Sequence, residues 1–224
     1  MAIILNIDTS IETASVSIAK DGALIACIRN TIQKEHAAFL HLAVKDLLIR
    51  SSLQLKEIDA IATTKGPGSY TGLRVGMASA KGLCYALDKP FITIGTLNAI
   101  AMAAINDTKG SVPGHKLFCP MIDARRMEVY TAIFNEEMEE ILSPCAMVLN
   151  NNSFQNIVKN SNMVFAGSGA LKWSRLTDLK TSLFLNDIDL APAIAHSSYS
   201  KLINKDFTDL SYSEPLYVKD FFSA

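Results

Sequence analysis

The sequence predicts an α/β protein made of two related lobes, and three observations lead to this prediction. A hydrophobic strand that ends in an aspartate and is followed by a hairpin occurs once in each half of the chain. In the first half, glycine-rich turns connect short apolar runs to longer apolar helices. The 224 residues are enough for one large domain or two small lobes.

Composition and charge narrow the class of protein. Hydrophobic residues make up 49% of the chain, enough for a large core and for apolar surface that a partner protein covers. The net charge of −1 gives no overall basic field for nucleic acid, so another subunit is expected to provide most of any contact with RNA. The four cysteines form no C-x-x-C pair and are expected to be core thiols. No signal peptide or membrane span is indicated, so we expect a cytoplasmic protein.

The first lobe is predicted to occupy residues 1–105. It opens with a three-stranded antiparallel meander whose first hairpin turn is Asp21-Gly22. Alternation of apolar and polar residues, apolar runs and glycine turns then predict the remaining elements. The expected strands are 2–8, 13–18, 23–28, 58–64 and 91–94, and the expected helices are 34–51, 71–87 and one that starts near Thr96.

A second lobe is predicted at 116–224, after a polar linker at 106–115. Met121-Ile122-Asp123, followed by the alternating strand 129–133, repeats the opening motif at an offset of 115 positions (Ile7 to Ile122). Two unrelated hairpins are the alternative interpretation of this repeat.

Duplicated ribonuclease-H-like lobes are the layout of the actin-like ATPase fold, in which two lobes face each other across a nucleotide cleft. About 100 residues follow Asp123, and 150–162 is asparagine-rich and loop-like. We therefore predict an actin-like ATPase fold with a truncated second lobe.

Two motifs in the first lobe have the composition of a phosphate-binding site. Asp8-Thr9-Ser10 follows the first strand, where a working ATPase of this fold holds Mg²⁺ and phosphate. An Asx turn is the alternative. The run from Gly66 to Arg74 reads GPGSYTGLR and suits an anion at a helix N-terminus, although it is no Walker A loop, and a turn without ligand is the alternative. The predicted vestigial nucleotide site is Asp8, Thr9, Ser10, Gly66, Gly68, Ser69 and Thr71.

Neither a metal site nor a catalytic nucleophile is predicted. On a helix, His36 and His41 point about 140° apart. Gly167-Ser168-Gly169 lacks the nucleophile-elbow pattern and is interpreted as a glycine turn after strand 163–166. Asp123-Ala124-Arg125-Arg126 brings a carboxylate and two guanidiniums to one turn, which suits a phosphate or carboxylate ligand, with a surface ion-pair cluster as the alternative.

The first two helices carry apolar residues on more than one side, which indicates a protein partner. On 34–51, a second apolar stripe lies nearly opposite the first. On 71–87, small residues recur every four positions and leave a smooth face for helix packing. Coverage of both sides within one chain is the alternative. The predicted interface residues are Phe39, Leu42, Leu47, Arg74, Val75, Gly76, Ser79, Ala80 and Leu83, and a charge at Val75 or Ala80 is expected to weaken partner binding.

Several stretches together resemble the TsaB (YeaZ) family. The most specific is the run from Gly66 to Gly76, GPGSYTGLRVG. Supporting stretches follow the family order along most of the chain: Ile7-Asp8-Thr9-Ser10, Lys34-Glu35-His36, Gly95-Thr96-Leu97, Asp123 to Tyr130, and Pro215-Leu216-Tyr217.

The resemblance implies a subunit of the complex that makes threonylcarbamoyladenosine beside the anticodon of ANN-decoding tRNAs. In that family the subunit is a non-catalytic scaffold that activates the related enzyme TsaD through its first two helices and forms homodimers through the same surface. The ATPase TsaE joins these two subunits, and TsaC or its homologue Sua5 makes the threonylcarbamoyl-adenylate. The chain is then expected to have no cofactor of its own, with ATP and metal on partner subunits and tRNA bound mainly through the complex. The H-x-x-x-H metal motif of the catalytic relative is absent here.

Two other functions stay open at this stage. One is an independent enzyme of the same fold, such as a small-molecule kinase or a metallopeptidase-like protein. The other is a homodimer with an unrelated binding role.

Overall fold

A computed structural model describes residues 1–32, 35–110, 116–154, 157, 162–177 and 182–219. Contacts divide the chain into unit 1, formed by Met1–Thr96 and Ala191–Leu216, and unit 2, formed by Leu97–Leu190 and Tyr217–Ala224. This division differs from the predicted boundary at 105–116 in two ways: unit 2 begins at Leu97, and Ala191–Leu216 belong to unit 1. The predicted helix start at Lys34, part of the predicted linker (111–115) and much of the predicted loop at 150–162 lie outside the described residues.

Unit 1 is built on a five-stranded mixed sheet. Its strands are β1 (Ile3–Asp8), β2 (Ala14–Lys20), β3 (Ala23–Asn30), β4 (Ala60–Gly66) and β5 (Phe91–Gly95). They lie in the order β3-β2-β1-β4-β5, in which β1 is antiparallel to β2 and parallel to β4. The predicted meander is confirmed.

Unit 2 contains a second five-stranded sheet with the same connectivity. Its strands are β6 (Lys116–Asp123), β7 (Glu128–Phe134), β8 (Glu140–Val148), β9 (Asn162–Ala166) and β10 (Leu183–Leu185). The order β10-β9-β6-β7-β8 is that of the first sheet read from the opposite edge, and β6 is likewise antiparallel to β7 and parallel to β9. The predicted duplication of the lobe is confirmed.

Five helices are described: α1 (His36–Arg50), α2 (Tyr70–Leu87), α3 (Thr96–Asp107), α4 (Ala170–Ser174) and α5 (Ala191–Ile203). The 3-10 turn Leu55–Glu57 precedes β4. Five-residue α4 stands after β9 where 18-residue α2 stands after β4. The truncation of the second lobe therefore affects helix length and the three-residue strand β10, while all five strands are kept. None of the described helices is long and apolar enough to cross a membrane.

Helices cover the first sheet on both faces. Buried side chains of α1 and α2, such as Leu40, Leu47 and Met77, pack with Leu5 and Ile7 of β1 in one apolar cluster. The late helix α5 contacts β1, β2, β3 and β5 and buries its small and aliphatic residues. Because the sheet would otherwise leave one apolar face in water, α5 completes the core of unit 1 although it follows unit 2 in the chain.

Candidate functional sites and family

The Asp8 turn of unit 1 is a closed network of internal hydrogen bonds. Asp8 is 2% exposed, and its Oδ1 accepts bonds from Ser10 N at 2.9 Å, Ser10 Oγ at 2.6 Å and Thr64 Oγ1 at 2.8 Å. Burial raises the pKa of the Asp8 carboxyl, and the three hydrogen bonds only partly oppose that effect. The structure therefore contains the Asx-type turn that the sequence offered as an alternative to a ligand site.

The glycine-rich turn packs directly against the Asp8 turn. Ser69 N donates to Ser10 O at 2.7 Å, and Thr9 Oγ1 donates to Gly72 O at 2.7 Å. A Cβ on Gly68 would lie 2.2 Å from Ser10 O, and a Cβ on Gly72 would lie 2.0 Å from Thr9 O. Glycine is thus needed at both positions because two stretches of backbone touch there.

The seven predicted nucleotide-site residues do not form one group in the structure. Asp8, Thr9, Ser10, Gly68 and Ser69 come together: Ser10 bonds to Asp8 and Ser69, Thr9 bonds to Gly72, and Gly68 packs against Ser10. Ser69 is the residue that caps α2, since its Oγ accepts from Gly72 N at 3.3 Å.

The other two predicted residues lie apart from this network. Gly66 has a φ of +114° and lies against the backbone of Leu216, whose N donates to Lys65 O at 2.6 Å. Thr71 is exposed in the first turn of α2.

The structure removes three residues from the predicted partner interface. Leu47, Gly76 and Ala80 are buried inside unit 1. A Cβ on Gly76 would lie 2.3 Å from Thr9 Oγ1, so the small-residue face of α2 packs on the chain's own β1 and β4. Substitution of Ala80 by a charged residue would therefore disturb the core instead of testing an interface.

The remaining predicted residues reach the outer side of the α1 and α2 layer. Leu42 is 70% exposed, whereas Phe39, Val75, Ser79 and Leu83 are half-buried. Arg74 is exposed, and its guanidinium lies 3.9 Å from the ring centroid of Tyr70. Two residues outside the predicted interface list enlarge this apolar area: Ile49, which belongs to the second apolar stripe predicted on 34–51, is 66% exposed, and Tyr85 is 83% exposed. We call it the α1–α2 surface: Phe39, Leu42, Ile49, Arg74, Val75, Ser79, Leu83 and Tyr85.

No cluster of three potential metal-ligating side chains occurs within the described residues. His36 is buried with Nε2 3.1 Å from Glu12 O, while His41 is exposed, so the two rings face different surroundings. Burial raises the pKa of the Cys84 and Cys119 thiols to about 12, as expected of core cysteines.

The Asp123 turn of unit 2 joins β6 to β7 and is exposed. Asp123 Oδ1 accepts from Arg125 N at 2.6 Å and from Lys172 Nζ at 2.6 Å. Arg125 and Arg126 have φ values of +67° and +46°, and both side chains are exposed. After β9, Gly167 takes a φ of +99° and Ser168 Oγ accepts from Asp123 N at 3.1 Å, which confirms the predicted glycine turn.

Comparison with known proteins places this fold and these motifs in a family. The family model described as TsaD, tRNA N6-adenosine threonylcarbamoyltransferase, matches residues 28–217. The tRNA threonylcarbamoyladenosine biosynthesis protein TsaB of Haemophilus influenzae is 29% identical over 97% of this chain and 93% of its own length. TsaB of Escherichia coli is 35% identical over 63% of this chain and 62% of its own length.

A solved structure has the same fold. YeaZ from Pseudomonas aeruginosa superposes with a TM-score of 0.79 at 24% identity, over 97% of this chain and 100% of that one. The chain therefore belongs to the threonylcarbamoyltransferase family of the actin-like ATPase fold, in its TsaB (YeaZ) branch.

Proposed function

We propose that this chain is the non-catalytic scaffold and activating subunit of the complex that transfers threonylcarbamoyl to the adenosine next to the anticodon of ANN-decoding tRNAs. Membership of the TsaB branch supports a role in tRNA threonylcarbamoyladenosine biosynthesis. In the proposed complex it pairs with TsaD and TsaE and uses no cofactor of its own, while ATP and metal are bound by the partner subunits. Without those partners it forms a homodimer.

The observation that carries this proposal is the α1–α2 surface. Leu42, Ile49 and Tyr85 are large, apolar and mostly in water, on a helix layer whose other side is already packed in the core. An exposed apolar patch of this kind is characteristic of a protein interface, and about 800 Å² per partner is ordinary for a stable one.

The Asp8 turn supports the non-catalytic part of the proposal. In this fold an ATPase needs a carboxylate and hydroxyls that are free to meet Mg²⁺ and phosphate. Here Asp8 Oδ1 accepts three internal bonds, and Thr9 Oγ1 is committed to the Gly72 carbonyl. A ligand that used Asp8 Oδ1 or Thr9 Oγ1 would have to replace these internal bonds.

The interface is tested by charged substitutions on the α1–α2 surface. Leu42→Asp and Ile49→Asp are expected to weaken co-purification with TsaD at least about tenfold, because a desolvated, unpaired carboxylate costs several kcal/mol. Ile203→Asp is the matched control, since Ile203 is 59% exposed on α5 of the same unit. Assembly that survives both α1 substitutions as well as it survives the control would contradict the proposed interface.

Calorimetry on the pure chain tests the alternative of an independent enzyme. The scaffold role predicts no turnover of ATP and no micromolar affinity for ATP-Mg²⁺. Micromolar binding accompanied by turnover would replace the scaffold with an enzyme.

A further inference from the structure

The Asp123 turn of unit 2 carries two exposed cations, Arg125 and Arg126. Among the described residues, no hydrogen bond or ion pair engages the guanidinium of Arg125 or Arg126. Both side chains are exposed at the tip of the β6–β7 connection. Arginines that only stabilised the fold would be expected to contact a carboxylate or a carbonyl, so these two are available to a ligand.

The acidic residues next to these arginines are already paired with lysines. Lys172 Nζ lies 2.6 Å from Asp123 Oδ1, and Lys219 Nζ lies 2.9 and 2.8 Å from the two oxygens of Glu128. Each lysine cancels one carboxylate, so the arginines leave the turn with a local excess of positive charge. The alternative of a surface ion-pair cluster accounts for the lysines but leaves the arginines without a role.

A groove of about 570 Å³ lies beside this turn, entirely within unit 2. The walls that the described residues form are cationic or aliphatic, apart from the paired Glu128. The lining residues are Ala124, Arg125, Arg126, Met127, Glu128, Val148 and Lys219.

Charge is distributed unequally along the second sheet. At the other end of β7, the connection to β8 carries Glu136, Glu137 and Glu139, β8 begins with Glu140, and this stretch has no lysine or arginine. A polyanion is therefore attracted to the Asp123 end of the sheet and repelled by the opposite end. The uneven distribution of charge orients an extended anion along the sheet, although the net charge of the whole chain is only −1.

We infer that this groove, which we call the Asp123 groove, binds phosphate groups of an RNA backbone and gives the chain its own contact with tRNA. Guanidinium forks match phosphate oxygens in a bidentate way. The open walls suit a continuous backbone, whose phosphates need cations more than an enclosed pocket. The identity of the RNA rests on the proposed function, whereas the phosphate chemistry rests on the groove.

Binding of labelled ANN-decoding tRNA to the full chain, alone and mixed with TsaD, tests this inference. The double variant Arg125→Gln/Arg126→Gln is expected to lose about tenfold in affinity at roughly 0.1 M salt and to reduce the slope of log affinity against log salt by about 1 to 2. Arg125→Lys/Arg126→Lys keeps the charge and is expected to retain most of the salt slope with weaker binding.

The matched control removes the same charge elsewhere in unit 2. Lys109→Gln/Arg175→Gln changes two exposed cations that do not line the groove, so tRNA affinity is expected to stay within about twofold of wild type. Equal affinities and salt slopes for the Arg125/Arg126 variant and this control would overturn the inference.

Two further arms identify the occupant and separate this inference from the proposed function. ATP that binds with the same arginine dependence and displaces the tRNA would make the occupant a free nucleotide and overturn the RNA assignment. Size-exclusion chromatography with TsaD is run on each variant. If the Arg125/Arg126 variant assembles with TsaD and binds tRNA as tightly as wild type, the groove is rejected but the proposed function is not. Failure of the wild-type chain to assemble rejects the proposed function, and tRNA binding by the chain alone then decides the groove.

Discussion

Asp8 and Asp123 end equivalent strands of the two units, yet Asp8 is 2% exposed while Asp123 is exposed. Around Asp8 the following residues are Thr9 and Ser10, whose short hydroxyl side chains turn back and bond within the unit. After Asp123 come Ala124 and two arginines, whose long cationic side chains cannot be buried without partners. The residues just after the aspartate therefore decide whether the repeated turn closes or stays open.

The glycine turns show what both units keep. In unit 1, a Cβ on Gly68 would lie 2.2 Å from Ser10 O, in the turn after β1. In unit 2, a Cβ on Gly169 would lie 2.9 Å from Met121 Cβ, near the end of β6. In both units the backbone also bonds there, from Ser69 N to Ser10 O and from Gly169 N to Met121 O. Each unit thus links its glycine turn to the region of its aspartate by a backbone bond, although Ser10 lies two residues after Asp8 and Met121 two residues before Asp123.

The largest effect is expected where backbone meets backbone in unit 1. Gly72→Ala places a methyl group 2.0 Å from Thr9 O and should lower the free energy of unfolding by about 3 kcal/mol or more. Gly82→Ala, on the same helix with nothing within 4 Å, should raise it by up to about 1 kcal/mol. Urea denaturation of both variants checks this, and equal stabilities would show that the two turns are not in contact.

Replacing the two aspartates sharpens the contrast between closed and open turns. Asp8→Ala leaves three buried donors without an acceptor and should cost about 3 kcal/mol, whereas Asp123→Ala should cost about 1 kcal/mol or less because its partners reach water. Denaturation at neutral pH measures both. Similar losses would mean that Asp8 is not buried as described.

Asp8 should also make the stability of the chain depend on pH. Burial raises the folded-state pKa of Asp8, so the folded state binds a proton more readily than the unfolded state. Its contribution is then fully present below the ordinary aspartate pKa and is lost as the pH rises through the folded value. Relative to Asp8→Asn, the wild-type chain should gain stability as the pH falls from about 7 to about 4. A difference that stays constant over this range would contradict the raised pKa.

The smallest effect concerns the backbone of the open turn. Arg125 has a φ of +67°, so Arg125→Gly should raise the free energy of unfolding by about 0.5 to 1 kcal/mol while it weakens tRNA binding. Arg175→Gly is the control, because Arg175 has a φ of −83° at the end of α4 and gains nothing from glycine. Thermal unfolding paired with the tRNA binding assay checks both effects. A destabilised Arg125→Gly variant would contradict the described turn.

Local sequence patterns predicted the fold well where strands alternate and glycines mark turns. The first meander, the repeat of Asp8 at Asp123 and the turn at Gly167 were all visible in the sequence, because each depends on residues close together in the chain. The return of α5 to the first sheet was not visible, since an apolar helix does not show which of two similar sheets it covers. Its start at Ala191 is also hard to see in the sequence because Pro192 follows at once, and proline is tolerated only in the first turn of a helix.

The site was harder to predict than the fold. Glycines that admit a phosphate and glycines that admit another backbone look identical in sequence, and only the distances from Gly68 and Gly72 to the Asp8 turn distinguish them. The small-residue face of α2 was assigned to a partner for the same reason, although it packs on β1 and β4. By contrast, the exposed Leu42 was correctly separated from the core stripe of α1, because opposite faces of a helix can be read directly from spacing.

The position of α5 in the chain has a consequence for synthesis. The ribosome delivers β1 to β5 first, then the whole of unit 2, and only afterwards the helix that covers the second face of the first sheet. Until residues 191–216 emerge, the nascent first sheet has no covering for that face from its own unit. A chaperone that binds apolar segments on the ribosome would therefore find this face of unit 1 uncovered until residues 191–216 have been made.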